Sequence, residues 1–144
     1  MHIVRKKVSV FSIKVLNNAI VFFYKKKKLN LFKTHTIIFQ NTFLGMAEKY
    51  LISLKLEGVG YSVIKKNKKL VFNLGFSHKL NYLIPTFVDI NISKKNIQLT
   101  NCSFQKIKNF SAILRYYKFP EPYKGKGIRY LSEFIVLKES KKSK

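Results

Sequence analysis

Most of the chain after residue 50 alternates apolar and polar residues in short runs, which is typical of β-strands with one buried face. The alternation is clearest over residues 70–77, and it returns over 80–84, 88–92 and 97–99. Short polar turns separate these runs, as they do in antiparallel hairpins. At Gly58-Val59-Gly60 the alternation changes phase, and a phase change at glycines predicts a β-bulge.

The first fifty residues have a looser pattern. Residues 8–15 and 19–24 are typical of two strands joined by a turn, and residues 29–32 predict a further short strand. Apolar residues then recur every three or four positions, which predicts an amphipathic helix over 36–50. Gly45 within this helix would allow close packing against a neighbour.

A second helix is predicted over residues 103–117, with Ser103 as its N-cap and Pro120 as its stop. Its predicted buried stripe consists of Phe104, Ile107, Phe110, Ile113, Leu114 and Tyr117. Together these elements predict an α+β protein in which an antiparallel sheet is covered on one face by a helix, and the length suits one domain or two very small ones. In the two-domain arrangement, a reduced N-terminal domain spans residues 1–50, which is small for an independent core, and a C-terminal domain with a basic tail spans 51–144.

The net charge is the strongest compositional signal. The 144 residues carry 29 lysines and arginines but only 6 acids, for a formal charge of +23. An AT-rich genome would inflate lysine, but it does not explain the shortage of acids. Hydrophobic residues make up 47% of the chain, so the charge does not belong to a disordered tail. The chain is therefore expected to fold and to bind a polyanion, with nucleic acid favoured.

Few residues suit enzymatic chemistry. Asp89 is the only aspartate, and Cys102 is the only cysteine, so no disulfide can form within the chain. The three histidines, His2, His35 and His78, are far apart in sequence, and no glycine-rich phosphate loop precedes a helix. These features predict no catalytic site, no metal and no cofactor. The longest apolar run, residues 19–24, is too short to span a bilayer, and the acid-free first 47 residues are interpreted as structure rather than as a targeting signal.

The most informative segment is PEPYKGKGIRY, residues 120–130. Its prolines fix φ at about −65° and predict an extended chain. Two glycines alternate with two lysines, so backbone N–H groups could approach an anion flanked by ammonium groups. Tyr123 offers a face for stacking, and Arg129 offers a fork for phosphate oxygens. The residues predicted to bind RNA here are Tyr123, Lys124, Gly125, Lys126, Gly127 and Arg129.

Other charged segments leave alternatives open. His78 lies in the turn GFSHK, either as a turn residue without a specific contact or as an RNA contact assisted by Lys79. The lysine runs at 25–28 and 65–69 are solvated turns in most proteins, but at this net charge about half of their lysines are expected to contact phosphate. Glu121 and Glu133 flank the glycine–lysine segment, and both are expected to pair with neighbouring lysines or arginines and hold the loop in shape.

Several strings together resemble the universal family of ribosomal protein six of the large subunit. Besides PEPYKGKGIRY they are LEGVGYSV, KKLVFNLGFSHKL, SAILRYYKFPEP and SEFIVLKESKK, in the order and spacing of that family. The resemblance is clear from about Phe39 to the end of the chain. It departs from the family in a shortened first domain and in Ser62, where a basic residue is common.

The resemblance implies two similar α+β domains and a structural role without catalytic residues. The second domain would bind large-subunit rRNA near the sarcin–ricin loop and support the region where translation factors dock, beside neighbouring ribosomal proteins. The residues that match the family's rRNA-binding segment are the six named above in 123–129. Ser77, His78 and Lys79 match its second contact turn, and Lys138, Lys141 and Lys142 match its basic tail.

A reduced first domain with AT-rich composition is typical of a protein encoded in a mitochondrial genome, so the predicted location is the mitoribosome in the mitochondrial matrix. A plastid-type organelle or a bacterial cytoplasm stays open. Two other functions also stay open. One is a cationic protein acting at anionic membranes, and the other is nonspecific DNA binding.

Overall fold

The computed structural model describes residues 11–16, 19–24 and 29–139. The chain divides into two compact units, Met1–Leu44 and Gly45–Lys144. The elements of both units include helices and antiparallel sheets, which confirms the predicted α+β class. The domain boundary expected after residue 50 stays a prediction.

In the first unit, strand β1 (Phe11–Leu16) pairs antiparallel with β2 (Ala19–Tyr24), as predicted. Helix α1 (Leu29–Ala47) then extends past the boundary between the units. The short strand predicted at residues 29–32 is wrong, because no glycine or proline interrupts the helix there and an established helix extends easily. The helix also ends three residues before the predicted end, since Tyr50 already belongs to the next strand.

Within the described residues, the second unit adds seven strands and one helix after α1. In chain order they are β3 (Tyr50–Glu57), β4 (Ser62–Lys66), β5 (Lys69–Asn73), β6 (Leu80–Leu83), β7 (Asp89–Ser93), β8 (Asn96–Asn101), α2 (Phe104–Tyr116) and β9 (Gly127–Tyr130). One sheet has the order β7-β8-β3-β9, and the other has the order β4-β5-β6. Every strand pair is antiparallel, as the alternating pattern predicted.

The β-bulge predicted at Gly58-Val59-Gly60 is wrong. These residues lie in the loop between β3, in the four-stranded sheet, and β4, in the three-stranded sheet. The phase of the apolar pattern changes because the chain changes sheets, so the residues before and after the loop alternate independently. A phase change by itself does not distinguish a bulge from such a crossing.

One hydrophobic core joins the two sheets and α2. Its members include Leu54 and Leu99 from the larger sheet, Phe72 from the smaller one, and Leu114 from α2, all buried. Tyr82 of β6 contacts the rings of Phe110 and Tyr117, which ties the smaller sheet to α2 and its C-terminal end. The core therefore fixes the loops at the ends of both sheets relative to one another.

Helix α2 differs from its prediction in two details. Phe104 and Ile113 of the predicted stripe are exposed, whereas Ser111 is fully buried, with its hydroxyl donating to the carbonyl of Lys108. Ser103 occupies the N-cap position, but its hydroxyl makes no capping hydrogen bond. Gly45 behaves as expected, because a Cβ there would overlap the carbonyl oxygen of Cys102. No helix in the described ranges is long and apolar enough to cross a membrane.

Candidate nucleic-acid interface

The loop of residues 120–126 is held at one end of the four-stranded sheet. Strand β9 pairs with β3 so that Gly127 lies opposite Glu57, the last residue of β3. Gly127 has a φ of +149°, and a Cβ there would lie 2.5 Å from the carbonyl oxygen of Phe119. The backbone before the loop therefore crosses directly over the start of β9, and only glycine fits at the crossing.

Two backbone hydrogen bonds close this loop. The N–H of Glu121 donates to the carbonyl of Lys126 at 2.9 Å, and the N–H of Gly125 donates to the carbonyl of Glu121 at 2.9 Å. Residues 122–124 form a turn, so the extended form predicted from the two prolines is wrong at this point. The N–H of Gly125 is also engaged inside the loop, which removes it from the groups predicted to face an anion. The loop is compact because its own backbone groups satisfy one another.

Side chains of the loop remain accessible. Tyr123 is 52% exposed, Lys124 is exposed, and Lys126 is half-buried. Gly125 has a φ of +67°, and the nearest atom to a Cβ there would be Cδ2 of Leu137 at 3.6 Å. The loop thus presents an aromatic face and two ammonium groups on a rigid backbone, a combination that suits a base and its phosphates.

Arg129 is bound within the protein. One guanidinium nitrogen donates to Oε1 of Glu57 at 2.9 Å, and the other donates to the carbonyl of Glu133 at 3.3 Å. Lys55 also pairs with Glu57 at 2.7 Å, and the hydrogen bonds from Lys55 and Arg129 lower the pKa of the Glu57 carboxyl. The predicted phosphate contact of Arg129 stays a prediction. Its observed partners lie on the sheet and on the segment after β9.

Glu133 links the segment that follows β9 to helix α2 and to the end of β9. Its carboxylate pairs with Arg115 of α2 and also accepts a hydrogen bond from the N–H of Tyr130 at 3.2 Å. The Arg115 guanidinium lies over the rings of Phe119 and Tyr130, at 5.1 and 5.7 Å from their centroids. The expectation of a nearby cation is therefore confirmed for Glu133. It is wrong for Glu121, which forms none of the salt bridges among the described residues and contributes to the loop through its backbone.

The predicted tail residue Lys138 lies beside the loop. Its backbone N–H donates to the carbonyl of Pro122 at 2.8 Å, and its side chain is exposed. The other two predicted tail residues, Lys141 and Lys142, fall outside the described residues. The structure thus places Lys138 with the six predicted residues at 123–129.

The second predicted contact turn connects to the same region through Lys118. Ser77, His78 and Lys79 are all exposed in the connection between β5 and β6. Beside them, the ring of Phe76 lies under the ammonium group of Lys118, at 4.6 Å from its centroid. The carbonyl of Lys118 in turn accepts a hydrogen bond from the N–H of Ile128 at 2.8 Å. Two segments distant in sequence therefore share one structural link.

The lysine run at 65–69 forms the tip of the β4–β5 hairpin, as predicted. Asn67 occupies the tip with a φ of +50°, and the lysine side chains are exposed. Lys65 donates to the carbonyl of Ile90 at 3.1 Å. Phosphate contacts by these lysines stay a prediction, as do those of the run at 25–28, which lies outside the described residues.

The structure contains a cationic site that the sequence pattern does not predict. A cleft of about 490 Å³ is lined by Glu57, Gly58, Val59, Gly60, Lys95, Lys124 and Lys126, and we call it the three-lysine cleft. Lys95 belongs to the β7–β8 turn, which the sequence predicted only as a turn. At Gly58 and Gly60 the sequence pattern predicts a bulge rather than part of a binding site. The residues that line the cleft come from three separate segments of the sequence, and only the sheet brings these segments together.

No group of three or more histidine, cysteine or acidic side chains within the described ranges is arranged to hold a metal ion. Cys102 is exposed, and His78 lies within 3.4 Å of the hydroxyl of its neighbour Ser77.

Comparison with known proteins identifies similar sequences. The model of the family described as ribosomal protein L6 matches residues 57–131, which include the three-lysine cleft, the turn at 77–79 and the loop at 120–126. The large ribosomal subunit protein uL6m of Reclinomonas americana is 42% identical over 110 residues, which cover 76% of this chain and 60% of that protein.

Two further relatives come from other settings. The large ribosomal subunit protein uL6 of Campylobacter hominis is 34% identical over 119 residues, covering 83% of this chain and 67% of that protein. The large ribosomal subunit protein uL6c of Phaeodactylum tricornutum is 37% identical over 108 residues, covering 74% and 61%. The chain matches about three fifths to two thirds of the length of these relatives.

Proposed function

The chain belongs to the ribosomal protein L6 family, and from that membership we propose that it is a structural constituent of the large ribosomal subunit that binds large-subunit rRNA. The observation that carries the proposal is the closed, cationic loop at residues 120–126. Its backbone is fixed by its own hydrogen bonds and by the sheet, while Tyr123 and Lys124 remain exposed. A rigid cationic loop with a stacking face suits RNA of defined shape.

In this proposal, two parts of the interface have different roles in RNA binding. The loop, with Lys138 beside it and the turn at 77–79 linked through Lys118, provides placement on one RNA shape. The lysines of the β4–β5 hairpin provide sequence-independent attraction, since they are exposed and project from a hairpin tip. The role is architectural and non-catalytic, in keeping with the family.

We further propose that the bound rRNA lies near the sarcin–ricin loop and that the protein supports the region where translation factors dock. Neighbouring large-subunit proteins would complete its surroundings. Support comes from the family resemblance of residues 120–130 and 77–79, both of which lie in the span matched by the family model.

The proposed location is a mitochondrial ribosome in the matrix. Support comes from the lysine-rich composition and from the similarity to the protein of Reclinomonas americana named uL6m. Relatives from a plastid and from bacteria are of similar identity, so a plastid-type organelle and a bacterial cytoplasm are the alternatives that the experiment must separate.

The test is sedimentation of a lysate from mitochondria that carry the tagged full-length chain, with and without EDTA. We expect the chain to migrate with the large subunit after EDTA separates the subunits, and to be released by RNase but not by DNase. Migration at the top of the gradient, or in the membrane pellet, would overturn the proposal and favour the membrane or DNA alternatives.

A pair of charge-matched variants makes this test specific. Lys124→Glu combined with Lys126→Glu should abolish co-migration, because both ammonium groups lie on the closed loop. Lys106→Glu combined with Lys108→Glu changes the net charge equally on α2, where these side chains lie over Phe87 and Phe104. The second variant should still co-migrate. Equal loss in both would mean that total charge, not the loop, holds the chain on its partner.

A further inference from the structure

The three-lysine cleft forms where three loops meet at one end of the four-stranded sheet. The Gly58–Gly60 loop begins directly after β3, and the loop at 120–126 ends directly before β9, which pairs with β3. The β7–β8 turn joins them because the N–H of Leu56 donates to the carbonyl of Lys95 at 2.8 Å. The sheet register therefore sets the distance between lysines that are thirty residues apart in sequence.

The acid in the cleft is already neutralised. Glu57 pairs with Lys55 at 2.7 Å and with Arg129 at 2.9 Å, and both contacts lower the pKa of its carboxyl. Two cations outside the cleft thus compensate the only carboxylate in its lining. The charges of Lys95, Lys124 and Lys126 are left to act together on a ligand, so the cleft attracts anions.

Lys95 is positioned in advance of any ligand. Its ammonium group donates one hydrogen bond to the carbonyl of Gly58 at 3.0 Å. An ammonium group has three donors, so two remain for an anion in the cleft. Because the side chain is already held, binding costs less of its conformational entropy.

The glycine loop leaves room for close approach. Gly60 has a φ of +74°, and no atom lies within 4 Å of the place where its Cβ would be. Val59, between the two glycines, is 89% exposed and offers an apolar contact. A volume of about 490 Å³ exceeds the needs of one phosphate group and accommodates the attached sugar.

We propose that the three-lysine cleft binds one phosphate group of an RNA backbone, held by Lys95, Lys124 and Lys126 over the Gly58–Gly60 loop. This inference rests on the proposed rRNA binding and adds a contact outside the residues identified from sequence. Lys95 is its new member, and the phosphate in the cleft lies between the closed loop and the β7–β8 turn. Recognition is of the backbone only, so it positions RNA without reading its sequence.

The first experiment uses inorganic phosphate as the probe and the full-length chain labelled for NMR. We expect phosphate to shift the amide signals of Gly58, Val59 and Gly60 in the wild-type chain, and Lys95→Gln to weaken that response severalfold. Lys106→Gln, a matched loss of one exposed lysine on α2, should leave the response unchanged. No response in the wild-type chain, or an equal response in Lys95→Gln, would overturn the proposal.

The second experiment measures binding to a large-subunit rRNA fragment over a range of salt concentrations. Each phosphate contact contributes roughly 0.7 to 0.9 to the slope of log affinity against log salt. Lys95→Gln should lower that slope by about this amount, and Lys106→Gln should not. A slope unchanged by Lys95→Gln, in a wild-type chain that binds the fragment, would overturn the cleft proposal alone.

The two experiments separate the two proposals. A wild-type chain that responds to phosphate but does not bind rRNA would contradict the proposed function and reassign the cleft to a free phosphate. A chain that binds rRNA with no phosphate response at residues 58–60 would keep the function and remove the cleft from it.

Discussion

Two lysine-rich turns of this protein differ in what holds them. The turn at residues 66–69 is a hairpin tip whose lysines project into solvent, with Asn67 accommodating the positive φ. The loop at residues 120–126 is closed by two backbone hydrogen bonds, crosses β9 at Gly127, and is bordered by Lys138. Both carry lysines, three in the hairpin tip and two in the loop. Only the second has its backbone fixed in position by the rest of the fold.

This difference separates attraction from placement. Solvated lysines add to the field that draws in a polyanion, but each contact is screened by salt and any one is replaceable. A charge on a rigid loop binds at a defined distance from other fixed groups, so it selects one arrangement of phosphates. The sharpest tests of this interpretation change the loop without changing its charge.

The largest effect is expected for Gly127→Ala. A Cβ at this position would lie 2.5 Å from the carbonyl oxygen of Phe119 and 2.7 Å from the Cα of Pro120, and backbone atoms cannot rotate away. A strained φ costs roughly 1 to 3 kcal/mol, and overpacking costs a similar amount. We expect the free energy of unfolding, measured with urea on the full-length chain, to fall by about 3 kcal/mol or more.

Gly60→Ala is the control for that measurement. Gly60 also has a positive φ, +74°, but nothing lies within 4 Å of the added Cβ. Only the conformational cost remains, and it amounts to about 1 to 2 kcal/mol. If the two substitutions were equally destabilising, the crossing over β9 would not be what constrains the loop.

The next effect concerns Arg129, whose two guanidinium nitrogens contact Glu57 and the carbonyl of Glu133. Lysine keeps the charge but cannot span both partners, because it lacks the planar fork. Arg129→Lys should lower the free energy of unfolding by roughly 1 to 2 kcal/mol without any RNA present. Lys68→Ala, at the exposed hairpin tip, should change it by less than about 0.5 kcal/mol.

The opposite result for Arg129 would be informative. If Arg129→Lys left stability unchanged and weakened rRNA binding instead, the guanidinium would leave its internal partners to bind phosphate, as the sequence predicted. The RNA interface would then include Arg129 of strand β9 as well as the loop.

A third test compares the two turns directly in rRNA binding. Gly125 has a φ of +67°, which costs a β-branched residue about 1 to 2 kcal/mol. Gly125→Val should displace the flanking ammonium groups and weaken binding by roughly tenfold, since 1.4 kcal/mol corresponds to a factor of ten. Lys68→Ala removes one solvated charge and should weaken it by no more than about threefold.

Gly125→Asn is the matched control, because asparagine adopts the left-handed region more readily than other side chains do. Binding close to wild type in Gly125→Asn would assign the defect of Gly125→Val to backbone conformation. Equal losses in Gly125→Val and Lys68→Ala would mean that the closed loop contributes only charge.

The sequence predicted the strands better than it predicted how the loops between them are arranged. Alternation identified strands β5, β6, β7 and β8 of the second unit. Periodicity did not show that Gly58–Gly60 connects two sheets, because a crossing and a bulge change the phase alike. Periodicity also placed Ile113 in the buried stripe of α2, but Ile113 is exposed. Residue spacing identifies one face of a helix, whereas the neighbouring sheets decide which positions on that face are covered.

Long-range partners account for the other differences. The engagement of Arg129 with Glu57 joins residues 72 positions apart, so no local pattern could indicate it. Lys95 appeared as an ordinary turn residue because its proximity to Lys124 and Lys126 depends on the register of β3 with β8 and β9. Sequence patterns report which residues face a core, whereas sheet pairing decides which loops meet.

The smallest expected effect is the pH dependence contributed by Glu57. Hydrogen bonds from Lys55 and Arg129 hold the pKa of this carboxyl below its ordinary value of 4.5 in the folded chain. A lowered folded-state pKa means that the stabilisation is fully present above 4.5 and is lost as pH falls through the lower, folded value. Because the side chain is 35% exposed, solvent screening limits the contribution to less than about 1 kcal/mol.

The measurement compares urea unfolding of the wild-type chain and Glu57→Gln between about pH 7 and pH 3. The wild-type chain should be the more stable one at neutral pH, and the difference should shrink in acid as the carboxylate is protonated. Asp89→Asn serves as the reference, because Asp89 also has a lowered pKa but pairs with Lys49 away from the loop. Removing Asp89 should therefore leave rRNA binding unchanged.

If the stability difference between wild type and Glu57→Gln were constant with pH, the contact of Glu57 with Arg129 would not form in solution. The guanidinium would then be free for phosphate, and the loop at 120–126 would be less firmly attached to the sheet than its geometry indicates.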